Sequence, residues 1–322
     1  MKILVTGGTG FVGSHLIRQL LADRNRVHAL VRDSRRLSTC DFKEEIFLVH
    51  GDLFDANPFP DDTELVFHLA AVTKTVSARE FTHVNVEGTR SLLEKLRPLK
   101  NLKKAVLLSS LAAAGPSRQG TPLREETPAA PISLYGKSKL AQEKVFAERC
   151  PVPFIIIRAP IVFGPGDMDM LDAFRIVGKG IILLLGRRER RYSVIYVKDL
   201  VRGMIVAALS PCQNEIFYVA NAEAIEWQSF MEQVSRLLGR QKTRKILVPE
   251  ILGRVLAEFS QLRIRALGKR AIFNRDKFKE MKCSAWVCSA EKIGARLHFQ
   301  PRSTLQAALE ETIDWYRKRD LL

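Results

Sequence analysis

Short apolar runs alternating with helically spaced stretches set the pattern of the first half of the chain. Residues 2–6 form one such run, and 27–31, 46–49, 65–69, 105–109 and 154–158 repeat its character. Brief apolar runs with little polar alternation predict strands covered on both faces, as in a parallel sheet. Between them, 11–23, 85–96 and 138–149 carry apolar residues three and four apart, which predicts helices. The alternation predicts βαβ units, hence an α/β fold with a Rossmann-type doubly wound parallel sheet.

Beyond Pro165 the pattern loosens. Stretches 175–179, 200–209 and 305–319 read as helical, 193–197 and 215–219 as extended. The apolar run 181–185 reads as a buried strand, slightly ahead of a pocket wall. Pro249 opens an amphipathic stretch with Leu252, Val255, Leu256, Phe259 and Leu262 on one face and Arg254, Glu258 and Arg265 opposite. That spacing predicts a core-packed helix or a lid over a substrate, in preference to a membrane anchor.

Composition changes this picture in one respect. With 46% hydrophobic and 27% charged residues the chain is an ordinary globular sequence. No apolar stretch approaches the roughly 20 residues a bilayer span needs, and the N-terminus lacks the form of a signal peptide. Five scattered cysteines read as reduced packing residues of a cytoplasmic protein, and no spacing of cysteine or histidine predicts a metal. The net charge of +16, however, is concentrated. Between Arg236 and Arg302 there are 17 Lys/Arg against 5 Asp/Glu. An anionic substrate, peripheral contact with an acidic membrane surface, or nucleic acid would each suit it, nucleic acid least. A plain solvated face accounts for it equally well.

The first chemical motif is Thr6-Gly7-Gly8-Thr9-Gly10-Phe11-Val12-Gly13, between the first strand and the first helix. Gly7 permits a tight turn, Gly10 lets a pyrophosphate approach the backbone, and Gly13 lets helix pack on sheet. The helix N-terminus then offers N–H groups and a favourable dipole to the anion. The second strand runs into Arg32-Asp33-Ser34-Arg35-Arg36. An acidic residue here would favour NAD(H) through the ribose hydroxyl, and Asp33 stands one position late for that role. Arg32, with Arg35 or Arg36, suits a 2′-phosphate, so NADP(H) is the favoured cofactor and NAD(H) the alternative. These features make 1–165 a nucleotide-binding domain with a return segment near 193–222. A smaller, mostly helical substrate-binding portion takes up 166–322.

Tyr135 and Lys139 stand four apart, a spacing that puts both on one helical face. A phenol with a pKa near 10 is a poor base at neutral pH, and a nearby ammonium favours its phenolate. Tyr135 could then exchange a proton with an alcohol or carbonyl oxygen while Ser110, ending the fifth strand, holds that oxygen.

These pieces resemble the extended short-chain dehydrogenase/reductase family over nearly the whole chain. They are the glycine turn, Gly51-Asp52-Leu53, His68-Leu69-Ala70-Ala71, Asn85 within 84–89, Ser109-Ser110, Tyr135 to Lys139, and 158–166 beginning Arg158-Ala159-Pro160-Ile161-Val162. The resemblance implies that Asp52 and Leu53 contact adenine and that Leu69, Ala70 and Ala71 lie along the cofactor with Ser109. It places Ala159, Pro160 and Val162 toward the nicotinamide, makes Asn85 a support of the site, and makes Ser110, Tyr135 and Lys139 the catalytic triad. Ala159 replaces a proline frequent in the family. A homodimer packed through 85–96 and 138–149 is also suggested, with a monomer as the alternative.

Departures from the family narrow the reaction. Dehydratases of the family carry an Asp-Glu pair after the catalytic hydroxyl, where this chain has Leu111 and Ala112. Sugar-nucleotide epimerases often carry an arginine at the position of Tyr192, although Arg190 and Arg191 lie just upstream. The stretch 192–197 resembles the dihydroflavonol reductase and 3β-hydroxysteroid dehydrogenase branch. The expectation is therefore a reversible NAD(P)-dependent alcohol/carbonyl oxidoreductase acting on a small-molecule substrate, lipophilic or anionic. Nucleotide-sugar epimerisation is the runner-up. A non-catalytic cofactor sensor or RNA-binding module is the reading from another class.

Overall fold

The computed structural model describes residues 1–37, 40–75, 77–267 and 275–322. The side chains of Arg36, Leu262 and Arg265 lie outside the described residues. Strands β1 (Lys2–Thr6), β2 (Arg26–Val31), β3 (Phe47–His50), β4 (Leu65–His68), β5 (Lys104–Ser110) and β6 (Phe154–Ala159) join Glu215–Tyr218 in a seven-stranded sheet. Its order is Glu215–Tyr218, β6, β5, β4, β1, β2, β3, and every pairing is parallel. The chain runs outward from β1 in one direction, then restarts beside β1 with β4 and runs the other way. That switch opens a crevice at the carboxyl ends of β1 and β4, where such sheets bind ligands.

The doubly wound sheet is thus as the apolar runs predict. One core layer joins Leu16, Ile17, Phe67, Ile157, Met204 and Phe217, and the opposite layer joins Leu4, Val66, Leu92, Leu107, Phe146 and Ile156. The edge strand β3 departs from the expectation of full cover, with Phe47 and Leu48 exposed.

Three helices differ from the sequence reading in instructive ways. The helix expected at 138–149 starts earlier, at Leu134, because the Ser133 hydroxyl accepts from the Gly136 N–H at 3.0 Å and sets the N-cap. The helix expected from Asn85 is preceded by a π-helical turn, Thr82–Glu87, which runs into Gly88–Leu96. The helix Glu250–Leu267 forms as predicted but is not core-packed, since Leu252, Val255, Leu256 and Phe259 are exposed.

The later part of the chain is less purely helical than expected. Ile181–Leu185 is a strand, paired in parallel with Arg244–Val248, but only Ile182 is fully buried. Short strands Arg191–Tyr192, Ile225–Glu226 and Ala285–Trp286 form another small sheet. Among the described residues no helix is long and apolar enough to cross a membrane.

Candidate active site

The glycine turn closes on itself with the tightness its sequence implies. Gly7 has φ +75°, and a Cβ there would stand 2.6 Å from the Ala70 nitrogen. A Cβ on Gly13 would stand 2.2 Å from the Gly7 carbonyl oxygen. Gly10 is the exposed N-cap of the helix Phe11–Ala22, whose first turn holds no acid and no side-chain cap. Its N–H groups and the positive end of its dipole are therefore left for an external anion. Thr9, Phe11 and Val12 are half-buried around the turn. His15 Nε2 meets the Pro165 carbonyl at 2.7 Å, tying the helix to the loop after the short strand Ile161–Phe163.

At the end of β2, Arg32 is exposed, and Arg35 grips Asp33 through bonds of 2.9 and 3.0 Å. Asp52 accepts from the N–H groups of Asp55 at 2.9 Å and Phe54 at 2.8 Å. Those bonds, Asp55 first, hold its carboxyl below the usual range, and Arg32 adds to the effect. Leu53 is buried, its side chain against the position a Cβ on Gly88 would take. Leu69, Ala70 and Ala71 are half-buried at the mouth of the crevice, as are Pro160 and Val162, while Ala159 is buried.

The helix Leu134–Arg149 brings Tyr135 and Lys139 to one side, next to Ser110. The Ser110 hydroxyl accepts from the Ala112 N–H at 3.1 Å and stands near enough to the phenol to favour its ionised form. The ammonium expected to lower the Tyr135 pKa has other partners. Lys139 Nζ donates to the Leu108 carbonyl at 2.9 Å and to Gln142 Oε1. Burial pushes the Tyr135 phenol up to about 12, against the lowering influence of Ser110, with Glu280 and Asp169 adding to the rise. Burial likewise lowers Lys139 to about 8. The apolar site thus disfavours the charged form of both groups.

Two supports of this site escaped the sequence reading as functional groups. His68 and Gln142 are fully buried and join β1 to Lys139. The Ala70 N–H reaches Thr6 Oγ1 at 3.3 Å, and Thr6 Oγ1 meets His68 Nδ1 at 2.7 Å. His68 Nε2 meets Thr89 Oγ1 at 2.8 Å, and that hydroxyl donates to the Asn85 carbonyl at 2.7 Å. Gln142 Nε2 donates to the same Thr89 oxygen at 2.8 Å. One assignment satisfies all of these bonds: a neutral His68 carrying its proton on Nε2 and accepting at Nδ1. Burial lowers the His68 pKa to about 3, which agrees with the neutral ring.

Asn85 is buried and holds a backbone rather than a reacting atom. Its Oδ1 accepts from the Val72 N–H at 2.8 Å, and its Nδ2 donates to the Val72 carbonyl and to Ser138 Oγ, both at 3.0 Å. Ser138 in turn donates to the Tyr135 carbonyl at 2.8 Å. The π-turn sets Asn85 facing both loop and helix, a distortion often found at functional sites. Ser109 turns away from the crevice, its hydroxyl bonded to Glu143, which is clasped by the buried Arg158 at 2.7 Å. From the far side, the Asp276 carboxylate accepts from the Leu134 N–H at 2.8 Å and the Tyr135 N–H at 3.2 Å.

The family model described as NAD dependent epimerase/dehydratase matches residues 3–220, from β1 through the last strand of the sheet. The chain belongs to that family. Among relatives of this epimerase/dehydratase chain is the ceramide reductase of Caulobacter vibrioides, 26% identical over 98% of this chain and 94% of that protein. Another is the 3 beta-hydroxysteroid dehydrogenase/Delta 5-->4-isomerase of Mycobacterium tuberculosis, 25% identical over 98% and 90%. The UDP-glucuronic acid 4-epimerase from Bacillus cereus, solved with UDP-glucuronic acid and NAD, shares the fold. Its TM-score is 0.78 at 19% identity, covering 99% of this chain and 100% of that one.

Proposed function

We propose that this epimerase/dehydratase-family chain is an alcohol/carbonyl oxidoreductase that uses NADP(H) and acts on a lipophilic small molecule. The observation that carries the reading is the makeup of the wall around Tyr135. After Ser110 come Leu111, Ala112, Ala113 and Ala114, all buried, with no acid or base to drive loss of water. At the position where sugar-nucleotide epimerases often carry an arginine stands Tyr192, half-buried in the cluster that also includes Tyr135 and Trp286. Arg190 is largely committed elsewhere, its Nε donating to the Met281 carbonyl and its Nη1 to the Arg188 carbonyl, while its Nη2 lies 3.6 Å from Glu250 without a hydrogen bond. The full-length similarity to a ceramide reductase and to a 3 beta-hydroxysteroid dehydrogenase supports the same class of substrate.

The residues fit a dinucleotide. The Gly7–Gly13 turn and the helix N-terminus would hold the pyrophosphate, and Asp52 and Ala70 would lie along the adenosine. Arg32 would meet a 2′-phosphate, since Arg35 already occupies Asp33. The bound nicotinamide supplies a hydride donor or acceptor. Within the reaction Ser110 holds the substrate oxygen and Tyr135 gives that oxygen a proton during reduction or takes it during oxidation. Lys139, fixed by Leu108 and Gln142, places positive charge behind the phenol and steadies the phenolate left after protonation.

The test is to incubate the protein with NADPH and a long-chain ketone in detergent micelles and follow nicotinamide absorbance. The proposed reaction consumes NADPH in step with alcohol formation. Interconversion of UDP-glucose and UDP-galactose with no net change in cofactor would assign the chain to epimerisation instead.

A further inference from the structure

The helix Glu250–Leu267 is packed inside out. Gly253 and Ala257, one turn apart, face the protein. A Cβ on Gly253 would stand 2.9 Å from both Leu185 and Phe278 side-chain carbons, so this face must stay small. The large apolar residues point the other way. Ile251 is 80% exposed, Leu252 49%, Val255 42%, Leu256 50% and Phe259 63%. At about 100° per residue these five occupy a single arc of roughly 140°. Leu247, three residues before the helix, is 51% exposed, and Leu183, on the paired strand, 43%. An apolar arc of this size on the outside of a folded chain marks an interaction surface.

The charge around it identifies the partner. Of the five acids between Arg236 and Arg302, Glu250 lies by Arg190, Glu258 pairs with Arg275, Glu280 with Lys277 and Glu291 with Arg124. The fifth, Asp276, accepts from the helix Leu134–Arg149. With its acids so engaged, the segment offers the exposed Arg240, Lys242, Arg244 and Arg254 beside the apolar arc. A protein partner would need matched shape and charge of its own. An anionic bilayer surface needs only an apolar arc to enter the interface and cations to meet the headgroups. The helix is also not of the kind that crosses a membrane, so its place is in the interfacial plane.

We propose that the outer face of Glu250–Leu267, with Leu183, Leu247 and the flanking cations, docks this chain onto anionic lipid bilayers. The inference is independent of the reaction assigned to Tyr135. It gains a structural consequence from the Glu258–Arg275 pair and the Asp276 bonds. Together they link the docking helix to the first turn of Leu134–Arg149.

The experiment is co-sedimentation of the full chain with vesicles of phosphatidylcholine alone and of phosphatidylcholine mixed with phosphatidylglycerol. The wild type is expected to bind the anionic vesicles, and to bind them less as salt rises. Leu256→Glu with Phe259→Glu should lower that partitioning by at least about tenfold. Arg240→Glu with Arg244→Glu should weaken it on anionic vesicles only. Cofactor titration confirms that each variant is folded. Absence of vesicle binding by the wild type, or equal binding by all three proteins, overturns the proposal. So does a wild-type dimer that Leu256→Glu with Phe259→Glu converts to monomer, because a second copy would then own the face.

Discussion

Around His68, side chains drawn from β1, β4, the π-turn helix and Leu134–Arg149 meet in a buried interior where they hydrogen-bond one another. Along Glu250–Leu267, glycine and alanine sit inside while leucine, isoleucine and phenylalanine sit outside. The first region turns its large side chains into the protein's own core and the second turns them out. The contrast teaches that periodicity identifies the two faces of a helix without saying which one the fold will cover. Small residues on the minor face are the missing signal, since they let a helix approach closely without burying its large side chains.

Substitutions inside and outside should therefore differ sharply. The largest effect belongs to Arg158→Met, which leaves the Glu143 carboxylate buried without its guanidinium. Removing one partner of such a pair costs about 3–5 kcal/mol. An unfolding free energy from denaturant titration that falls by less than about 1 kcal/mol would mean that this interior is more forgiving than its contacts imply.

Next comes the neutral His68. Its pKa is about 3 in the fold against 6.5 for the free side chain. Between those values the unfolded chain binds a proton that the folded chain refuses, so stability falls as pH drops. The slope is about 1.4 kcal/mol per pH unit, and above the upper value the contribution is fully present. His68→Asn should lack this part of the slope between about pH 6 and about pH 4. Parallel stability curves for the two proteins would remove the neutral ring from the account.

Arg32 stands at the rim, exposed like the outer helix but beside the nucleotide crevice. Arg32→Ala should weaken NADP⁺ about tenfold in calorimetric titration and leave NAD⁺ nearly unchanged. An equal effect on both would take Arg32 away from the 2′-phosphate. The smallest effect is expected on the docking helix itself. Leu256→Glu should change folding stability by no more than about 0.5 kcal/mol, because the side chain is half exposed already. A large loss would mean that this face is packed in solution.

Most of the sheet was legible because each strand carries its own apolar run and the glycine turn is local. That Tyr135 and Lys139 share one side of a helix was legible for the same reason, both being set by Leu134–Arg149. What stayed hidden depends on residues far apart in the chain. His68 lay within a motif quoted for its alanines, and nothing local says that Thr6 and Thr89 flank its ring. Gln142, three positions after Lys139, could have been suspected from helical spacing. The π-turn at Thr82–Glu87 and the outward face of Glu250–Leu267 are decided by tertiary contacts that no local window contains.

The central claim is that Tyr135 moves the proton in a net hydride transfer. The most direct measurement compares wild type with Tyr135→Phe at equal NADPH occupancy, following nicotinamide oxidation by a lipophilic ketone. The account predicts cofactor affinity unchanged and turnover reduced by about 10²–10⁴. Wild-type turnover in the variant would contradict it.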